Sequence, residues 1–221
     1  MCHDGAMHAA FIRANTLLAA PPLVPEIQLH LATEVTPLWQ ATEASLAQSQ
    51  LPPPYWAFAW AGGQALARHV LDHRDLVAGK SVLDFGAGSG LVAIAAALAG
   101  AASVTAAEID AFAAAAIAMN AAANGIALDV VTDDVTDGAP RWDAVLCGDM
   151  CYERPLAERL TRWLERCAGA GALVLLGDPG RAYLPRAGLT ALARYTVPTP
   201  LDLEDRTERE TTVWRFAPAR L

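Results

Sequence analysis

The 221-residue chain is short of lysine, short of charge and free of long apolar runs, and each shortage removes a class of protein. Lys80 is the only lysine, and arginine supplies the rest of the positive charge, as a GC-rich bacterial genome would produce. Acidic residues outnumber basic ones by 24 to 16, a net charge of −8, so the basic face of a nucleic-acid reader is missing. An acidic surface suits a cationic ligand or a basic protein patch. The longest apolar stretch, residues 91–102, is alanine-rich and falls short of the roughly 18 residues that span a membrane. Cys2, Cys147, Cys151 and Cys167 form no CxxC pair and have no histidine cluster beside them, which argues against a metal site and against required disulfides. His69 and His73 stand four apart without a third ligand nearby, which fits a solvated helix face. The N-terminus lacks a signal peptide's basic start, and Asp4 precedes Arg13 where a transit peptide would be free of acids. These absences lead us to expect reduced cysteines, a cytoplasmic setting, and no nucleic-acid, membrane or metal partner.

What is present is 54 % hydrophobic, much of it alanine, at a length that suits one domain with a sizeable core. Residues 1–22 are small, apolar and poorly patterned, and read as a flexible N-terminus. From Pro25, apolar residues at Ile27, Leu31, Val35 and Leu38 have helical spacing, with Pro37 as a break. Residues 51–63, LPPPYWAFAWAGG, stiffen the chain ahead of Tyr55, Trp56, Phe58 and Trp60, and a second helix follows from Gln64 to about Arg74. Residues 23–80 thus read as a helical and aromatic cover on a core of 81–221. In the core, strands are expected at 81–85, 103–108, 128–132, 144–147, 172–176, 195–198 and 211–216. Helices are expected at 90–99, 111–124, 156–168 and 185–193. Alternating strands and helices imply a parallel sheet covered on both faces. The loop 202–210 is too short for a parallel crossover, so the last two strands should be antiparallel.

The strongest local signal is VLDFGAGSG, residues 82–90, where a hydrophobic strand runs into Gly86, Gly88 and Gly90 and then a helix. Glycines let the backbone turn tightly and approach a ligand, with helix N–H groups facing it. The next strand ends in Glu108, placed to reach the ribose hydroxyls of a nucleotide. Asp110 reads as the N-cap of the following helix rather than as a ligand. The spacing G-x-G-x-G, with Asp84 two residues ahead, departs from dinucleotide sites and resembles class I S-adenosylmethionine-dependent methyltransferases. By that resemblance Asp84 orders the loop and Glu108 holds the ribose. Asp133 and Asp134 fall where such enzymes contact adenine. Which of them does so is open, and either suits a turn-capping role equally.

Strand four ends WDAVLCGDMCY, residues 142–152, placing Asp149 and Tyr152 three apart at the carboxyl edge of the sheet, where ligands sit. D-M-C-Y resembles the [DE]-x-x-[YF] motif of seven-β-strand protein-lysine methyltransferases. With PYWAFAWAGGQAL (54–66), LVLLGDPGR (173–181) and TTVWRF (211–216), the chain resembles, over residues 20–217, the family that methylates lysines of the electron transfer flavoprotein β subunit. Its departure is Glu108, where an Asp is expected. The resemblance implies a Rossmann-like seven-stranded sheet of order 3-2-1-4-5-7-6 with S-adenosylmethionine as cofactor. It also implies that Trp60, Gly62 and Gly63 wall the cofactor's methionine end, although an aromatic cluster there could equally be core. Asp178 and Arg181 either order a substrate-side loop or form a tight turn.

Methyl transfer needs a neutral amine aligned with an already activated methyl. A lysine side chain, with a reference pKa of about 10.4, must therefore be desolvated or deprotonated in the site. Asp149 is the candidate to orient the amine or take its proton, and Tyr152 the candidate to line the lysine channel and face a cation. The expected activity is that of a monomeric protein-lysine N-methyltransferase acting on the electron transfer flavoprotein β subunit. Its rivals are a methyltransferase for another protein, such as a ribosomal protein, or for a small amine, and a non-catalytic cofactor-binding regulator.

Overall fold

Residues 81–85 read SVLDF and 144–148 AVLCG, the nearly unbroken apolar runs of strands buried on both faces. In the computed structural model, which describes residues 2–33, 38, 53–200 and 206–217, they are neighbouring strands at the centre of a sheet. We number the elements in chain order: α1 (Cys2–Asn15), β1 (Leu17–Ala19), β2 (Leu29–Leu31), α2 (Ala61–Asp72), β3 (Ser81–Phe85), α3 (Leu91–Leu98), β4 (Ser103–Ala107), α4 (Ala111–Ala123), β5 (Asp129–Val131), β6 (Ala144–Gly148), α5 (Arg154–Gly169), β7 (Leu173–Asp178), β8 (Leu189–Pro198) and β9 (Glu208–Phe216). β1 and β2 pair as a small antiparallel ribbon. The other seven form one sheet of order β5-β4-β3-β6-β7-β9-β8. Counted from β3, this is the expected order 3-2-1-4-5-7-6. The first five strands are parallel, and β9 is antiparallel to both β7 and β8.

Strand periodicity assigns each face its helices. Val82, Leu146 and Leu175 point to the face covered by α2 and α3, among Ala65, Leu66, Val70 and Ile94. Leu83, Phe85, Val145, Cys147, Val174 and Leu176 point to the other face, where α5 buries Leu160, Trp163, Leu164 and Cys167. Those four, at i, i+3, i+4 and i+7, form a single helical stripe. The chain runs outward from β3 through β4 to β5, then returns to the other side of β3 as β6. The connections leaving the carboxyl ends of β3 and β6 therefore pass to opposite faces, leaving a crevice at the switch point.

Three expectations need correction. Residues 185–193 are not a helix: from Leu189 they begin the ten-residue strand β8, paired along its length with β9. Leu, Ala and Arg favour a helix weakly, and hydrogen bonding to β9 outweighs that propensity. Residues 2–15 form a helix and 17–19 a strand, rather than an unpatterned stretch. Ile12 of α1 is buried against Ala113 and Ala116, so the alanine-rich face of α4 is the ledge that receives this helix. Leu29 and Leu31 lie in β2, not in a helix beginning near Pro25. The β2 segment is pinned by asparagines on α4: Gln28 N–H donates to Asn124 Oδ1 (2.9 Å) and His30 N–H to Asn120 Oδ1 (2.7 Å). Beyond Thr33 that expected helix lies, apart from Leu38, outside the described residues. No described helix is long and apolar enough to cross a membrane, and no described cluster of His, Cys, Asp or Glu could hold a metal ion.

Candidate active site

A cleft of about 400 Å³ opens at the carboxyl edge of the sheet, above the switch point. Its floor is the glycine loop. Gly86 and Gly88 adopt left-handed backbone, and their amides face the end of β4. Glu108 ties this loop down: Oε2 accepts from Gly88 N–H (3.0 Å) and Oε1 from Asp110 N–H (3.2 Å). Burial pushes the Glu108 carboxyl above its ordinary pKa, while those amides pull it back down. A carboxylate accepts about four hydrogen bonds, so acceptor capacity remains for a hydroxyl of a ribose. Ile109, 74 % exposed, adds an apolar wall beside it.

Asp84 stands behind the loop, not on the cleft wall. It is buried, and its Oδ2 accepts from Ala93 N–H (2.9 Å) in the first turn of α3. Burial raises its pKa to about 7. Gly90 caps α3 and also stays off the wall. Asp110 caps α4 through Phe112 N–H (2.8 Å), as its position predicts, while also lining the cleft. At the end of β5, Asp133 and Asp134 both reach the wall. Asp134 is largely spent: Oδ1 accepts from the Thr136 amide (2.9 Å) and hydroxyl (2.7 Å), and Oδ2 pairs with Arg159 (3.0 Å).

At the other end the cleft meets the loop after β6. Asp149 takes a left-handed backbone, φ 59°, which few residues other than Gly, Asn and Asp tolerate. Its carboxylate overcomes that cost by joining three segments. Oδ2 accepts from the Gly62 and Gly63 amides at the start of α2, the latter at 3.1 Å. Oδ1 accepts from Arg181 Nε (2.9 Å) and Nη2 (2.7 Å). Arg181 is delivered by the turn after β7, where Asp178 Oδ1 accepts from the Gly180 and Arg181 amides, both at 2.7 Å. Gly62 and Gly63 thus act through Asp149 and do not line the cleft.

Close approach explains those glycines. A Cβ on Gly62 would stand 2.2 Å from Gly177 O, and one on Gly177 would stand 2.1 Å from Gly62 O. Only glycine at both lets α2 sit on the ends of β6 and β7. The mouth is aromatic. Trp60 lies edge-on to Tyr55 (6.0 Å between centroids), and Tyr55 lies against Tyr152 (5.9 Å). The Arg181 guanidinium stands 5.8 Å from the Trp60 ring. Tyr55 and Tyr152 are about half exposed, as residues at an entrance should be. Burial, with nearby Tyr55, Glu153 and Glu108, raises the Tyr152 phenol pKa, so that phenol stays neutral.

The sequence did not mark Tyr55, Ile109 or Arg181 as cleft residues. Tyr55 stood in a noted aromatic cluster, and Arg181 in a noted turn. Ile109 carried only the signal of following an acid at a strand end.

The family model for ribosomal protein L11 methyltransferase (PrmA) matches residues 65–150. The electron transfer flavoprotein beta subunit lysine methyltransferase of Danio rerio is 42 % identical over 217 residues, 93 % of this chain and 82 % of that protein. Its Homo sapiens counterpart is 37 % identical over 217 residues, 95 % of this chain and 82 % of that protein. A ribosomal protein L11 methyltransferase of Methylococcus capsulatus is 39 % identical, over only 51 % of this chain and 38 % of its own length. Among solved structures, magnesium protoporphyrin IX methyltransferase from Synechocystis with bound S-adenosylmethionine superposes with a TM-score of 0.51 at 20 % identity. The match covers 70 % of this chain and 80 % of that one, a likeness of fold.

Proposed function

This chain belongs to the electron transfer flavoprotein β-subunit lysine methyltransferase family, and from that membership we propose that it transfers methyl from S-adenosylmethionine to a lysine of that flavoprotein subunit. The observation that carries the proposal is one cleft joining the glycine loop and Glu108 to an aromatic mouth. When bound, the cofactor supplies a methyl on a sulfonium sulfur, which a neutral amine takes in one displacement that leaves a thioether.

The residues fit that group. Gly86 and Gly88 allow close backbone approach, Glu108 keeps acceptor capacity for a ribose hydroxyl, and Ile109 offers an apolar face for a base. With Asp134 committed to Thr136 and Arg159, Asp133 is the residue to accept from the adenine amine. Trp60 closes the methionine end, with Gly62 and Gly63 behind it holding Asp149, while Asp84 and Gly90 set the loop from below. Tyr152 and Tyr55 line the lysine channel. Asp149 fixes the mouth by binding α2 to the loop after β7. With four donors on it, it has no open acceptor position for the departing proton, which goes to solvent.

Coverage favours the flavoprotein over a ribosomal target. The flavoprotein-directed relatives align along nearly the whole chain, mouth included, whereas the ribosomal one aligns with half. The net charge of −8 suits a basic protein partner rather than nucleic acid, and we take the enzyme to act as a monomer. Cys147, Cys151 and Cys167 are buried free thiols, which supports a reducing compartment such as the cytoplasm. The test is S-adenosylhomocysteine formation by the purified chain with and without the flavoprotein β subunit. Product only in its presence is expected, and none in either case would leave a cofactor-binding regulator.

A further inference from the structure

The acceptor capacity of Asp149, the carboxylate at the lysine mouth, is already spent. A carboxylate offers about four acceptor positions, and Asp149 fills them with the Gly62 amide, the Gly63 amide, Arg181 Nε and Arg181 Nη2. The guanidinium is charged at every working pH and also takes the nearby aromatic face, 5.8 Å from the Trp60 centroid. An ammonium arriving here would meet a fixed cation and no uncommitted anion on Asp149, whereas a neutral amine meets no such penalty. We propose that Arg181 occupies the cation seat of this mouth and so admits the substrate lysine as a neutral amine rather than as an ammonium.

Arg181 is then a positioning and specificity-determining residue. Its place is fixed by Asp178, whose Oδ1 holds its amide, and its charge cancels that of Asp149. The other ionisable groups around the pair do not replace that charge. Tyr55 and Tyr152 beside it present phenol rings, that of Tyr152 kept protonated by burial, Cys151 is a buried thiol pushed up to about 12, and Asp178 and Glu108 are acids. Removing the guanidinium would leave Asp149 free to hold an ammonium as a salt bridge, the form that cannot accept a methyl.

The inference rests on the methyl-transfer reading, so one arm of its test needs no turnover. The probe is n-butyltrimethylammonium, a fixed cation that cannot be methylated, titrated by calorimetry into the full chain. Arg181→Met and Arg181→Gln should bind it about tenfold tighter than wild type or Arg181→Lys, as expected when a paired carboxylate is freed. Equal affinities would overturn the proposal, as would sub-millimolar binding by wild type alone, which needs no variant to fold. In the second arm, the acid limb of the kcat–pH profile, which reports the bound amine, should move up by about one unit in Arg181→Met and return in Arg181→Lys. A uniform loss of rate without that shift would reduce Arg181 to a structural brace. If wild type turns nothing over, the methyl-transfer reading fails while the binding arm still decides the role of Arg181.

Discussion

At the scale of single residues, Asp84 and Glu108 are two acids separated by one strand register, with opposite duties. Asp84 is sealed beneath the glycine loop with one amide partner, and its pKa of about 7 lies above the ordinary 3.8. The folded state therefore holds its proton more tightly than the unfolded chain does, so stability falls as pH rises from about 4 to about 7 and stays reduced above. A shift of about three units corresponds to on the order of 4 kcal/mol. Asp84→Asn keeps an acceptor for Ala93 and removes the charge. Thermal melts at pH 5 and pH 8 should differ in wild type and converge in that variant; unchanged pH dependence would remove Asp84 as the cause. Glu108 is instead at the cleft surface. Its loss should weaken S-adenosylmethionine binding about tenfold or more, the worth of hydrogen bonds to a charged group. Equal calorimetric affinities for wild type and Glu108→Ala would contradict this. Both acids were legible in the sequence, because each lies within a few residues of the glycine loop or a strand end. The Asp149–Arg181 pair was not, since its members are 32 residues apart and meet only when β6 and β7 lie side by side.

At the scale of elements, the site depends on how closely α2 can approach the sheet. Gly62 and Gly177 touch backbone to backbone, whereas a Cβ on Gly63 would meet nothing within 4 Å. Gly62→Ala should therefore lower stability by about 2–4 kcal/mol, in the range of severe overpacking, while Gly63→Ala should melt near wild type. Matched losses in both, measured by chemical denaturation, would show that conformational freedom and not contact is what these positions need. Short apolar runs alternating with helical segments made the parallel strands readable, and the charged loop after β8 gave the antiparallel end. The start of β8 was hidden because LTALAR has no strand signature of its own and is held as strand by β9. The N-terminal helix was hidden for a related reason. Its alanines and glycine show no amphipathic stripe, and it is placed by packing on α4.

At the scale of the whole molecule, the lone lysine becomes an advantage. Lys80 lies just before β3, at the edge opposite the cleft, and its Nζ donates to Leu76 O (2.7 Å). Side-chain automethylation could occur only there, so a labelled lysine anywhere else belongs to a substrate. The central claim is that the aromatic mouth and its neutralised carboxylate present a protein lysine to the methyl. The most direct measurement incubates the purified chain with labelled S-adenosylmethionine and an equimolar mixture of recombinant flavoprotein β subunit and ribosomal protein L11, then maps the label by mass spectrometry. The account predicts label on lysines of the flavoprotein and little on L11. Label on L11 alone, or on neither protein while a small amine is methylated, would contradict it.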